Sequence, residues 1–375
     1  LNDVSMSTGG AEVPLSESTN ATIEMMQEPE ISVEAGMQPD TMVDELGVVL
    51  NKYEVPMGLM NKLMMLSEFE ALEFMIDDSG SMTLPSDTID QSGRTQTRWQ
   101  EAQRRLKEMI EVLGYVPFNQ IVICFLNRPD KVVLVRNGRD PKTLLADAYR
   151  QIDQAFARPA SGSTPFLERL QESFARGANR SIARYFFGDG VPNGGNPAKA
   201  EVVKILCTRQ NPEGNPMTFL SCTNEDAQVE WMKDAEEMAP YCSESDDFRD
   251  EEVEVRRDQG DALPFTYGFY LVACLVAAMN PDDLDAMDES VPFTKATLDN
   301  LLGIQNSEEN YKHYFDNFIK AQQARIVEND DYGRPKKTDQ IKKTFNWQQC
   351  YQDFLRAPIA KQIPAVQQFK QQLMS

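Results

Sequence analysis

The residues of this 375-residue chain best suited to chemistry lie in three short polar stretches: Asp77-Asp78-Ser79-Gly80-Ser81, Gly162-Ser163-Thr164 and Gly188-Asp189-Gly190. What they offer is oxygen. Asp77 and Asp189 bring carboxylates, Ser79, Ser81 and Thr164 bring hydroxyls, and neither thiolate nor imidazole is among them. That is the ligand set of a hard divalent cation rather than of a soft transition metal. In the Asp-x-Ser-x-Ser turn, alternate residues can point their oxygens at one centre, and Gly80 is expected to give the backbone the freedom to do so. The set suits Mg²⁺ best, with Mn²⁺ or Ca²⁺ as alternatives.

Regular elements must hold these stretches in place. Strand and helix patterns alternate from about residue 72, which predicts an α/β fold: a doubly wound, mostly parallel, Rossmann-like sheet with helices on both faces. Residues 72–77 (LEFMID) form an apolar run that ends in the first polar stretch, as a central strand would. Residues 98–113 read as an amphipathic helix with its basic residues facing outward. The β-rich runs 120–126 and 131–136 are joined by Asn127-Arg128-Pro129-Asp130, so a hairpin is expected, placing one antiparallel strand at the sheet edge. Helices are expected over 141–158, 165–176, 197–209 and 225–238, and strands over 183–187 and 217–221. All three polar stretches then fall next to the carboxyl ends of strands, where open α/β sheets bind ligands.

The string Phe74-Met75-Ile76-Asp77-Asp78-Ser79-Gly80-Ser81-Met82, the later Gly162-Ser163-Thr164-Pro165 and the still later Asp189-Gly190 together resemble the metal-ion-dependent adhesion site (MIDAS) of von Willebrand A (vWA) domains. All three parts occur in the family's order, and the resemblance spans about residues 66–238. It implies a cation held by the Ser79 and Ser81 hydroxyls, with Asp77 acting directly or through water. Thr164 would join when a ligand is engaged, and Asp189 would hold a coordinating water. One position would stay open for a Glu or Asp carboxylate of a partner protein. Charge supports such chemistry: two carboxylates balance a divalent ion, while neutral hydroxyls leave it electrophilic. Asp78 occupies the variable slot of the motif and is not assigned to the metal.

The domain plan expected is a disordered acidic tail over 1–47, a vWA-type domain with a lead-in helix over 48–260, and a helical extension over 261–375. Residues 243–257 are strongly charged and read as a solvated loop or exposed helix. A formal net charge of -22 repels a phosphate backbone and argues against nucleic acid as a direct ligand. The six cysteines are scattered with no C-x-x-C pair, which points to a reducing, cytoplasmic setting. No basic stretch leading into an apolar one opens the chain as given. The longest uncharged apolar segment, residues 265–279, falls short of the roughly 20 residues of a membrane span and reads as a buried helix.

Catalysis finds little to work with. His313 is the only histidine and sits in a helical pattern far along the chain from the polar stretches, so no Ser-His-Asp or Cys-His set is apparent. Ser79 stands where a phosphoaspartyl phosphatase would carry its second acid. The acidic run at 282–289 misses the EF-hand spacing, and the glycines at 188–195 lack the order of a phosphate loop. The expectation is a cation-dependent protein-binding module rather than an enzyme. Two other uses of the same cation stay open: metal-assisted hydrolysis, and a scaffold the ion merely braces.

Overall fold

Apolar residues alternate by face along the central strands, and that alternation sets a sheet between two separate cores. A computed structural model describes residues 39–375, apart from 90–92, 224, 280–283, 285–286, 288 and 331. The strands are β1 (Ala71–Ile76), β2 (Pro85–Ile89), β3 (Thr95–Thr97), β4 (Gln120–Phe125), β5 (Lys131–Val135), β6 (Ile182–Gly188), β7 (Met217–Ser221) and β8 (Cys242–Ser245). Six of them form one sheet in the order β5-β4-β1-β6-β7-β8. All neighbours in it run parallel except β4 and β5, which form the expected antiparallel edge hairpin. The chain is thus α/β, with a mostly parallel, doubly wound sheet.

Leu72, Phe74 and Ile76 of β1 face one core with Tyr185 and Phe187 of β6, while Met75, Phe186 and Phe219 face the other. Phe74 stacks on Tyr185 with ring centroids 4.6 Å apart. Helices α1 (Pro39–Lys52), α2 (Gly58–Met64), α3 (Arg98–Leu113) and α4 (Pro141–Phe156) supply the first core, and α5 (Phe166–Arg176), α6 (Asn196–Thr208) and α7 (Asp226–Met238) the second. Their starts are encoded locally. Thr97 and Gln100 form a capping box at the head of α3, and Asp140 caps α4 ahead of Pro141 in its first turn.

The charged segment after residue 242 contains a strand that was not expected. Cys-Ser-Glu-Ser has no apolar run, yet β8 pairs with β7 as the sheet edge and is followed by helix α8 (Phe248–Gln259). The β2–β3 ribbon was likewise not expected. The basic residues of α3 do not all face outward: Arg98 and Arg105 are buried. Arg105 donates to the Ser221 carbonyl at 2.6 Å and also to the Tyr270 hydroxyl, partners that compensate its burial. The expected tail ends sooner than residue 47, because α1 begins at Pro39 and buries Leu46 and Leu50. Residues 1–38, and most of the acidic run at 282–289, lie outside the described residues.

Beyond α8 the chain is mostly helical, as expected. The apolar segment at 265–279 contains helix α9 (Tyr267–Val276), every residue of which from Gly268 onward is buried. It joins the first core, and the Tyr185 hydroxyl donates to the Leu275 carbonyl at 2.7 Å. Among the described residues, no helix is long and apolar enough to cross a membrane. All six cysteines are unpaired. His313 is exposed on helix Glu308–Ala324.

Candidate metal centre

From β1 the chain builds first toward β4 on one side and later toward β6 on the other, so β1 marks the switch point of the sheet. A crevice at the carboxyl ends of the strands is the usual ligand position at such a point. Ile76 pairs with Phe187 in register, and the Asp77 amide donates to the Phe187 carbonyl at 2.8 Å. Asp77 and Asp189 therefore leave the same edge of two adjacent central strands.

The first loop turns back on itself at once. The Ser79 amide donates to Asp77 Oδ1 at 2.8 Å, and a short 3₁₀ turn, Gly80–Thr83, follows. The Ser79 and Ser81 hydroxyl oxygens lie 3.0 Å apart, and Ser81 donates onward to Asp189 Oδ1 at 2.8 Å. The structure thus joins Asp77, Ser79, Ser81 and Asp189 by direct hydrogen bonds. Thr164 reaches the same place through its loop: the Gly80 amide donates to the Gly162 carbonyl at 3.1 Å and the Ser161 amide to the Asp78 carbonyl at 2.7 Å. Asn193 pins Thr164 from the third loop, accepting its amide at 3.1 Å and donating its own to the Thr164 carbonyl at 2.8 Å.

The glycine requirement falls elsewhere than expected. Gly80 has no left-handed backbone, and a side chain there would meet only the Gly162 carbonyl at 3.8 Å. Gly162 has φ +115° and a Cβ would lie 2.8 Å from the Asn127 side chain. It is Gly162 that lets the second loop close on the first.

Asp77 and Asp189 are 0% exposed and Ser79 is 2%, while Gly80, Gly162 and Ser163 are exposed at the rim and Ser81 is half-buried. The floor of the site is dry and its mouth is wet. Burial pushes the Asp77 carboxyl up to about 7, against the lowering effect of the Ser79 amide and with reinforcement from the nearby Asp189 charge. One of its oxygens, Oδ2, is buried with no hydrogen-bond partner among the described residues.

Asp78, left out of the ligand set, has a different task. Its carboxylate accepts from the Asn127 amide at 2.8 Å and from Arg128 Nε at 2.8 Å, tying the first loop to the end of β4. Arg98 was missed from the sequence. It opens α3, donates from Nη1 to Asp189 Oδ2 at 2.8 Å and from Nη2 to Glu225 Oε1 at 2.9 Å. Asn193 was missed too, since a glycine-rich loop gives no hint of which polar residue turns inward.

The oxygens present suit a hard cation. The Ser79 and Ser81 hydroxyls lie together and next to the Asp189 carboxylate, the hard oxygen types that Mg²⁺ takes. An unpartnered buried carboxylate oxygen, at Asp77, supplies the charge such an ion needs. Among the described residues no three His, Cys, Asp or Glu side chains group as metal ligands, so a cation in this place would rest on hydroxyls beside two carboxylates.

No family model matches the chain, and no curated protein matches it. Among solved structures, it is similar to a mutant of the PilB minor pilin from Streptococcus sanguinis, at 10% identity over 58% of this chain and 62% of that one, with a TM-score of 0.37. An uncharacterized membrane spanning protein from Vibrio fischeri shares 13% identity over 40% of this chain and 70% of that one, with a TM-score of 0.21. Likeness at that level carries no argument for this chain.

Proposed function

We propose that this chain carries a von Willebrand A-type domain that binds a partner protein through a divalent cation, Mg²⁺ by preference with Mn²⁺ or Ca²⁺ as substitutes. The observation that carries the reading is Asp77 Oδ2, a buried carboxylate oxygen with no partner among the described residues, beside the linked oxygens of Ser79, Ser81 and Asp189. Burying such a group unpaired is costly, and a cation removes the cost. Ser79, Ser81, Asp77 and Thr164 would hold the ion, with Asp189 bound through water. When bound, the ion supplies Lewis acidity toward a Glu or Asp carboxylate of the partner. The protein's own part is to fix the hydroxyls, keep the floor dry and leave the rim at Gly80, Gly162 and Ser163 open to an approaching side chain. Unpaired thiols throughout suit the reducing cytoplasm.

A second reading, an ion that only braces the loops, is favoured by the near-complete burial of Asp77, Ser79 and Asp189. One pair of experiments separates the two. Mn²⁺ binding followed by electron paramagnetic resonance in acetate, which supplies a carboxylate, should be measurable in the wild type and lost in Asp77→Ala; equal binding by both ends the cation reading. Affinity capture with and without EDTA should then show partners that vanish on chelation and in Thr164→Ala. Partners indifferent to both, with thermal stability still raised by Mg²⁺, would leave the bracing role alone standing.

A further inference from the structure

Charge around the site is not what its ligand residues alone suggest. Asp77 and Asp189 would neutralise a divalent ion by themselves, leaving a guest carboxylate with no charge to satisfy. Arg98 changes that sum. Its side chain is 6% exposed and its Nη1 sits on Asp189 Oδ2, while Oδ1 of the same carboxylate faces Ser81. Glu225, the other partner of Arg98, has a side chain 55% exposed, so water screens it far more than the buried pair. Arg98 Nε is buried with no partner among the described residues. Asp78 adds nothing to the sum, because Arg128 answers it.

We propose that Arg98 is the charge-setting residue of the site: paired with Asp189, it leaves the cation-loaded centre with an excess positive charge that only a guest carboxylate balances. This rests on the cation reading above. Cation and carboxylate then bind cooperatively, each weakly alone and each strengthening the other by the same factor. The arrangement sacrifices affinity for the bare ion and gains selectivity for anionic partners, since a neutral side chain leaves the charge unmet. Arg98 touches neither ion nor guest in this scheme and acts through Asp189.

The test uses Mn²⁺ as the ion and acetate as the carboxylate, on the full chain at constant ionic strength. In the wild type, acetate replacing chloride should tighten Mn²⁺ binding. Arg98→Gln should bind Mn²⁺ in chloride on the order of tenfold more tightly, the usual size of such couplings, and should lose most of the acetate effect. Arg98→Lys, which keeps the charge, should behave like the wild type in both respects. Glu225→Gln offers a milder, exposed change of opposite sign: weaker Mn²⁺ binding with a larger acetate effect. If Arg98→Gln binds Mn²⁺ no more tightly and keeps the acetate effect, the charge-setting role is overturned while the cation reading survives. Absence of Mn²⁺ binding in the wild type, or its persistence in Asp77→Ala, overturns both.

Discussion

Glu73 and Asp77 are buried carboxylates four residues apart along the same stretch of chain, and the protein treats them in opposite ways. Glu73 lies within β1 and is answered from several sides. Arg176 reaches Oε1 at 2.7 Å, Ser173 donates to Oε2, and the fully buried Arg184 lies 3.5 Å from Oε2. Arg184 in turn donates from Nε to the Ser173 hydroxyl at 2.7 Å and stacks on Phe174. Burial lowers the Arg184 guanidinium to about 10, a depression the Glu73 charge partly offsets. Asp77, one residue past the strand, keeps an oxygen with no partner among the described residues. A fold that can complete one buried acid within itself and leaves the other incomplete has built the first for stability. The second makes sense as a place for something that the chain does not supply.

The largest effect should come from unbalancing Glu73. Glu73→Ala strands the Arg184 charge, and removing one partner of such a buried pair costs about 3–5 kcal/mol. Urea unfolding should show that loss equally in EDTA and in Mg²⁺. A loss repaired by Mg²⁺ would erase the distinction between the two acids.

Asp77 should betray itself through pH. Burial holds its carboxyl in the folded chain up at about 7, above the ordinary 3.8, so between those values the folded chain holds a proton that the unfolded chain has released. In EDTA this group's contribution to stability is therefore intact below about pH 4 and falls as pH rises to about 7, by about 4 kcal/mol at roughly 1.4 kcal/mol per unit. Asp77→Asn should remove that slope, matching the wild type near pH 4 and exceeding its stability above pH 7. Superimposable unfolding curves across this range would put Asp77 on the same footing as Glu73.

Ser81→Ala should give the smallest change in stability. It deletes one half-buried link between Ser79 and Asp189, worth about 0.5–1.5 kcal/mol, yet should weaken Mn²⁺ binding by about tenfold or more. An unaltered Mn²⁺ affinity would assign Ser81 to loop packing.

The sheet was legible because its central strands are apolar on both faces, and runs such as LEFMID and ARYFF announce themselves without tertiary information. β8 was not, because an edge strand of Cys-Ser-Glu-Ser takes its conformation from β7 rather than from its own propensities. At the candidate site, residue types, their order and the family resemblance picked out Asp77, Ser79, Ser81, Thr164 and Asp189 as one oxygen-rich set. Four of them prove to be linked by hydrogen bonds, and Thr164 is held beside them through its backbone. Arg98 escaped because a helical period tells which residues share a face but not that a guanidinium on the inner side has found an acid 91 positions away. The glycine misplacement has the same origin: Gly162 is required by Asn127, a neighbour in space only.

Helix α9 has a consequence for how the molecule comes into being. The last edge of the sheet, β8, ends at Ser245, but the helix that roofs the Phe74 and Tyr185 side continues to Val276. During synthesis from the amino end, a finished sheet, covered on that side by α1 to α4 only in part, must wait on the ribosome with a gap in its apolar cover until that roof emerges. Truncated forms that stop near residue 260 would keep that gap permanently, and should clump rather than dissolve when expressed.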